Sequence, residues 1–244
     1  MAQGREVWLL QWDMARPAFE ASSAGARYPV INGVTQGVIR KAVGLWAREA
    51  MLSWHRSHPA SRYLLLCETP FIGHRLIELA RPADDAAEAL LRHETSCFVL
   101  PVPSRKVRQA IEQRREERNI SPQHPQEAED APPQVLQALW EELQRIAPRL
   151  GIEMPKEESA YNPEVYRRVY QAILRYRRCE VLAIETILPT DEMSPYQFAE
   201  QRRDLIPSTA QATHWIEVVE RTYPDWKALQ QELEVWYEMV PLSD

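Results

Sequence analysis

The sequence predicts an α/β protein: a helix-rich three-layer sandwich around a mostly parallel sheet of four to five strands, with a helical lid-like insertion and C-terminal helices. Two observations and their alternation lead there. Four short runs, Val7 to Leu10, Tyr63 to Cys67, Cys97 to Leu100 and Val181 to Ile184, are apolar almost without interruption. Such runs fit strands covered on both faces. Segments of helical spacing separate them, and strands joined through helices imply right-handed crossovers and a parallel sheet rather than a meander.

The elements follow in chain order. After the first run, QWDMARPAFEASSAGARYP reads as a turn. A long crossover helix then runs from Asn32 to Trp54, with Val38, Ile39, Ala42, Val43, Trp46, Ala47, Ala50 and Met51 on one apolar stripe and Arg40, Lys41, Arg48 and Glu49 off it. The second strand passes through CETPFIGHRLIELA into a helix beginning near His74, and another helix covers Pro82 to Arg92. Ser104 is a candidate N-cap for a helix over Arg105 to Asn119, and Asn162 caps one over Pro163 to Tyr176 with proline in its first turn. A further helix spans Pro133 to Leu150.

The stretch Ile120 to Pro132 is rich in proline and acid and has little to bury, which predicts an exposed mobile loop able to act as a lid. Beyond the fourth strand, Thr190 to Pro207 looks irregular. Helices follow over Ala210 to Arg221 and Asp225 to Met239, the second with Trp226, Leu229, Leu233, Trp236 and Val240 at three- and four-residue steps. The expected organisation is an α/β core over 1–206, including the mobile loop at 120–132, with C-terminal helices over 207–244 packed on it. A homodimer seam through those helices is the alternative use of the stripe.

Composition narrows the function classes. A chain of 244 residues, 45% hydrophobic and 26% charged, can bury a core. No apolar stretch approaches the ~20 residues that span a bilayer, and Met1 to Arg5 lack a secretory layout, so the cytoplasm is the expected compartment. Cys67, Cys97 and Cys179 lie in apolar runs without a CxxC pair and read as small buried hydrophobes. The net charge of −6 makes nucleic acid an unfavoured partner, and 7 glycines against 19 prolines weigh against a Gly-rich cofactor loop.

Ligands of open parallel sheets bind at the carboxyl ends of the strands, so the residues just after each apolar run take priority. That rule selects Asp13 and Arg16 after the first strand, Glu68, Thr69, His74 and Arg75 after the second, Ser104 and Arg105 after the third, and Glu185 after the fourth. A helix N-terminus beside Thr69 and Arg75 suits an anion, and Glu68 or Asp13 could serve a proton or a metal ion. On the following helix, Arg108 and Arg115 can share a face toward a polyanion, although Glu112, Glu116 and Glu117 among them also fit a solvated mixed-charge face.

Other motifs carry less. His55 and His58 form an HxxH pair beside Pro59 without a third ligand, and no metal is assigned to it. Ser22, Ser23 and Ser104 lack a GxSxG frame. Trp46, Trp54, Trp140 and Trp215 sit at helical spacing and read as core.

In its order of elements, the stretch from about residue 60 to 150 resembles nucleoside and nucleotide kinases of the P-loop class. A strand ends in Glu68, a strand ends at Val102 and Pro103, and an arginine-rich helix precedes a mobile loop and another helix. The resemblance implies that the strand-end acid assists a metal or phosphoryl acceptor, and that Arg108, Arg114, Arg115 or Arg118 stabilises transferred phosphate. It also offers magnesium with a nucleotide as the cofactor, which the residues themselves leave open. The chain departs from that class in having no GxxxxGK[ST]. The expected function is binding of a phosphate-bearing small molecule, a nucleotide first, with phosphoryl transfer as its enzymatic extension. The alternative is a non-catalytic protein-interaction or scaffold protein.

Overall fold

The computed structural model describes residues 4–31, 34–71, 74–122, 133–155, 160–187 and 203–240. The chain forms two compact units, one from Met1–Ser96 with Gln201–Asp244 and one from Cys97–Glu200. This division differs from the expected 1–206 and 207–244. The C-terminal helices share their unit with the long crossover helix, and the chain between residues 97 and 200 forms a unit of its own.

The α/β character holds, but the described strands form two two-stranded parallel sheets rather than one sheet of four to five. Apolar runs identify strands; which strands pair is a non-local matter that they do not encode. In the first unit, β1 (Glu6–Gln11) pairs with β2 (Tyr63–Glu68), from Glu6 opposite Tyr63 to Gln11 opposite Glu68. Leu9 also bridges in parallel to Asp204, donating to Arg203 O (2.9 Å) and accepting from Leu205 N (2.7 Å).

Helix α1 (Trp12–Glu20) starts directly after β1, where the sequence reading placed only a turn. Its buried Trp12, Ala15 and Phe19 stand at three- and four-residue steps around the internal Pro17. Helix α2 (Gly37–Ser57) is the expected crossover helix with a later start. It buries Val38, Ile39, Ala42, Val43, Trp46 and Ala47 and returns the chain to β2.

The helix expected near His74 is absent. His74 (φ 62°) and Leu76 (φ 55°) adopt the left-handed region, which blocks helix propagation, and only a short 3₁₀ turn Ile77–Leu79 follows. Helix α3 (Ala86–Arg92) begins instead at Asp85, whose carboxylate accepts from the Ala87 and Glu88 amides (both 3.0 Å).

The second unit pairs β3 (Phe98–Pro103) with β4 (Cys179–Ile184) in parallel, Phe98 opposite Cys179. Between them run α4 (Arg105–Ile120), α5 (Pro133–Ile146) and α6 (Pro163–Ile173). Trp140, Leu143, Ile146, Val165, Val169, Tyr170 and Ile173 supply much of this core. Most of the expected mobile loop 120–132, with Gly73 and most of the irregular stretch 190–207, lies outside the described residues.

Helices α7 (Thr209–Thr222) and α8 (Trp226–Glu234) belong to the first unit, and both pack on α2. The Ser208–Gln211 capping box starts α7. The α8 stripe is buried at Leu229, Leu233 and Trp236, leaving Trp226 and Val240 exposed. Its approach to α2 is close: a Cβ on Gly37 would lie 2.5 Å from Leu233 Cδ1.

Candidate functional site

The C-terminal ends of β1 and β2 are a natural place to look for a site in the first unit, because both strands deliver their last residues there. Gln11 and Glu68 form the final register pair, and Gln11 Nε2 donates to Glu68 Oε2 (2.8 Å). Occupied in this way, the Gln11 side chain does not cap α1, and the positive end of the helix dipole remains at the strand end.

Arg75 reaches this end from the left-handed loop, its guanidinium 5.4 Å from the centre of the buried Trp12 ring. Burial of its surroundings lowers the Arg75 pKa; Asp13 opposes that shift and Arg16 adds to it. The side chain remains exposed to solvent, so it stays a cation with access to a ligand. Among the described residues Arg75 has no hydrogen bond or ion pair.

Its expected companions divide by their existing partners. Arg16 is bound to Glu20 (2.9 Å), which also accepts from Thr35 Oγ1 (3.2 Å). Asp13 is exposed on the first turn of α1, and Thr69 is half-buried just beyond Glu68. His74 is used structurally: Arg40 Nη1 donates to its Nδ1 (3.3 Å), and its ring lies 5.8 Å from that of Trp236. Two consecutive anchors therefore hold the residue before Arg75, while fully buried Leu76 holds the residue after it. A left-handed non-glycine residue persists only under such constraint.

In the second unit, Ser104 caps α4 by accepting from Val107 N (3.4 Å), and its own amide donates to Ile184 O (2.9 Å). Ser104 and the exposed Glu185 thus leave β3 and β4 at the same end. Arg105 is exposed at the start of α4 and Arg115 is half-buried farther along it. Arg108 is committed to the fold. It donates to Glu112 (2.6 Å) and to Leu136 O (2.7 Å), and lies 5.2 Å from the Tyr161 ring centre.

An open apolar groove beside this strand end is lined by Val107, Ala110, Ile111, Arg114, Ile184, Thr186 and Ile187. The expected constellation is therefore divided: Asp13, Arg16, Glu68, Thr69, His74 and Arg75 belong to the first unit, and Ser104, Arg105, Arg108, Arg115 and Glu185 to the second.

The sequence reading missed a charged interior in the first unit. Lys41 and Arg48, expected off the buried stripe, are only 8% and 2% exposed. Arg48 forms a bidentate pair with Asp85 (both 2.7 Å), reaches Glu88 (2.9 Å) and donates to Glu78 O (2.6 Å). Burial pushes the Asp85 carboxyl up, but the hydrogen bonds and charge of Arg48, together with the Glu88 and Ala87 amides, hold the pKa below its ordinary value. Lys41 bridges Glu232 (2.7 Å) and the buried Glu78 (3.2 Å), and Arg81 also binds Glu232 (2.6 Å).

Gly44 makes room for this arrangement, since a Cβ there would stand 1.8 Å from Glu78 Oε2. The spacing Lys41, Gly44, Arg48 on one helical face is the only local trace of it; the acidic partners are remote in sequence. Among the described residues no group of three or more His, Cys, Asp or Glu side chains is placed to hold a metal ion. His58 instead lies among the rings of Trp8, Trp54 and Tyr63 at 4.9 to 5.1 Å, its Nδ1 donating to Trp54 O (2.9 Å).

No protein-family model, curated protein or solved structure matches this chain.

Proposed function

We propose that the C-terminal end of the β1–β2 pair binds a phosphate-bearing small molecule, with a nucleotide as the first candidate. The observation that carries this reading is Arg75: an accessible guanidinium seated on Trp12, with no hydrogen bond or ion pair among the described residues and its flanking backbone anchored. A planar cation held in place with its donors uncommitted is suited to bidentate recognition of phosphate oxygens. The first turn of α1 adds favourable potential for an anion, and the Thr69 hydroxyl is near the same strand end.

Glu68 and Asp13 are the carboxylates available for magnesium or for a proton in the phosphoryl-transfer extension. The resemblance of residues 60–150 to P-loop kinases supports a nucleotide as the ligand, and the missing lysine motif makes Arg75 the cation that would stand in its place. A second reading, docking of a protein partner, is supported by the second unit. Val99 and Leu182 on the β3–β4 face are 58% and 51% exposed, although parallel sheets are ordinarily covered on both faces.

The test is thermal unfolding against nucleotides and phosphorylated metabolites, each with and without magnesium, because a ligand of the folded state raises the melting temperature. Calorimetry on Arg75→Ala then follows with any ligand found. Loss of a charge-assisted hydrogen bond of ~1.5–3 kcal/mol predicts at least a tenfold weaker Kd with an unchanged melting temperature of the free protein. No shift across the panel, or full affinity in Arg75→Ala, would refute this site.

A further inference from the structure

The two faces of the β3–β4 pair are covered unequally. On one, Leu100 and Val102 are buried, and α6 packs on β3. Strand alternation and the register, Pro101 opposite Leu182 and Pro103 opposite Ile184, put Val99, Pro101, Leu182 and Ile184 together on the other. Val99, Pro101 and Leu182 are exposed there. Ile184 carries this apolar face into the groove beside α4, where Val107, Ala110, Ile111 and Arg114 supply the helical wall.

Size and charge select what the groove can hold. Its volume is about 190 Å³, below the ~300–1,000 Å³ of pockets that enclose whole small molecules. An apolar cavity of about 150 Å³ holds one benzene ring, so this groove takes one or two bulky side chains projecting from a larger partner. Along α4 the wall is apolar at Val107, Ala110 and Ile111, then basic at Arg114 and, one turn later, at Arg118. The helix carries six basic side chains against three acidic ones, in a chain whose net charge is −6. Arg108 and Glu112 pair with each other, and Glu117 accepts from Gln113 (3.2 Å). A guanidinium has five N–H donors, and a carboxylate engages two of them.

We propose that this groove docks an acidic amphipathic segment of a partner protein, with bulky apolar side chains seated against Ile111 and Ile184 and carboxylates on Arg114 and Arg118. Such docking rests on the partner-binding reading of the second unit and is independent of anion binding at Arg75. The apolar anchor supplies affinity, and the arginines set orientation and exclude basic partners.

The full chain is immobilised and panned against a phage-displayed library of random peptides, and the enriched sequences are synthesised with a fluorophore for anisotropy titrations. They should pair Leu, Ile or Phe with Asp or Glu, and bind more weakly as salt rises. Ile111→Asp, at an exposed position, and Arg114→Glu should each weaken binding about tenfold or more, with melting temperatures close to that of the wild type. Arg114→Glu decides alone if Ile111→Asp does not fold. Arg56→Glu makes the same charge change at an exposed position of the first unit and should leave binding within about twofold. Full affinity in either folded groove variant would move docking elsewhere and overturn this groove while leaving the partner-binding reading intact. A basic consensus, or a free chain already dimeric through this face, its association lost in Ile111→Asp, would likewise overturn it. No enrichment at all would sink the groove and the partner-binding reading together.

Discussion

In the first unit charged side chains lie inside the fold, whereas in the second aromatic rings occupy the corresponding role. Lys41 and Arg48 are buried on α2, Lys41 paired with Glu78 before α3 and Glu232 of α8, and Arg48 with Asp85 and Glu88 at the start of α3. The second unit stacks Trp140, Tyr161, Tyr166 and Tyr170 with ring centres 4.7 to 5.6 Å apart. Beside that stack, Arg108 joins α4 to the α5 backbone and to Tyr161. The difference teaches how to recognise a free cation. Where arginines are consumed by architecture, as Arg48 and Arg108 are, they say little about ligands, and Arg75 stands out because its surroundings do not consume it.

The largest expected effect separates the two units. Arg48→Ala leaves Asp85 and the buried Glu88 without their main cation, and stranding buried charge costs about 3–5 kcal/mol. Hydrogen exchange should accelerate at the amides of α2 and α3 while those of α5 and α6 keep their rates. Uniform acceleration across both units would break the comparison. A smaller effect runs the other way: Tyr161→Phe removes the hydroxyl that donates to Pro103 O (3.0 Å), for a loss of about 1 kcal/mol. Exchange should then quicken in β3 and α6 and not in α2.

How far the sequence could be read follows from the same contrast. The four strands were legible because continuous apolar runs are a local signal, and each lies within a residue or two of its predicted place, β3 extending three farther. Pairing was not legible, since nothing in Tyr63 to Cys67 says that its neighbour is β1, or that the backbone at 203–205 flanks β1 at Leu9. The helix expected from His74 failed because its apolar spacing was compatible with a helix but the backbone at His74 and Leu76 turned left-handed. Lys41 and Arg48 were misplaced on the solvent side for a related reason. Charge is a good local indicator of exposure unless remote carboxylates meet it, and Glu78, Asp85, Glu88 and Glu232 do. The strand-end rule selected Asp13, Arg16 and Arg75 from the sequence, and Asp13 and Arg16 are close enough to act on the Arg75 charge, whereas the contact of the Arg75 loop with Trp236 was out of reach of any local reading.

The smallest effect concerns acid. Burial pushes the Glu232 carboxyl up, but Lys41, with Tyr223 and Arg81 beside it, more than offsets burial, so its pKa lies below the ordinary 4.5. Burial likewise lowers the pKa of Lys41, yet Glu78 and Glu232 raise it above its ordinary 10.5, and Lys41 remains charged through this range. Tyr223, whose hydroxyl also donates to Glu232, is pushed up to about 12 by burial and stays protonated. A carboxyl with a depressed folded pKa stabilises the fold above its unfolded pKa, and the contribution is lost as pH falls through the folded pKa. Stability should therefore be level from neutral pH down to the ordinary carboxylate range and decline below 4.5. Glu232→Gln keeps a hydrogen-bonding side chain and removes this titration, so its melting temperature should start lower at neutral pH and decline less steeply in acid. Asp85, depressed below its ordinary 3.8, still titrates in the variant, which makes the expected change a shallower slope rather than a flat line. Melting curves of wild type and Glu232→Gln that run parallel through the acid range would show that the ion pairs holding α8 to α2 contribute no pH-dependent stability.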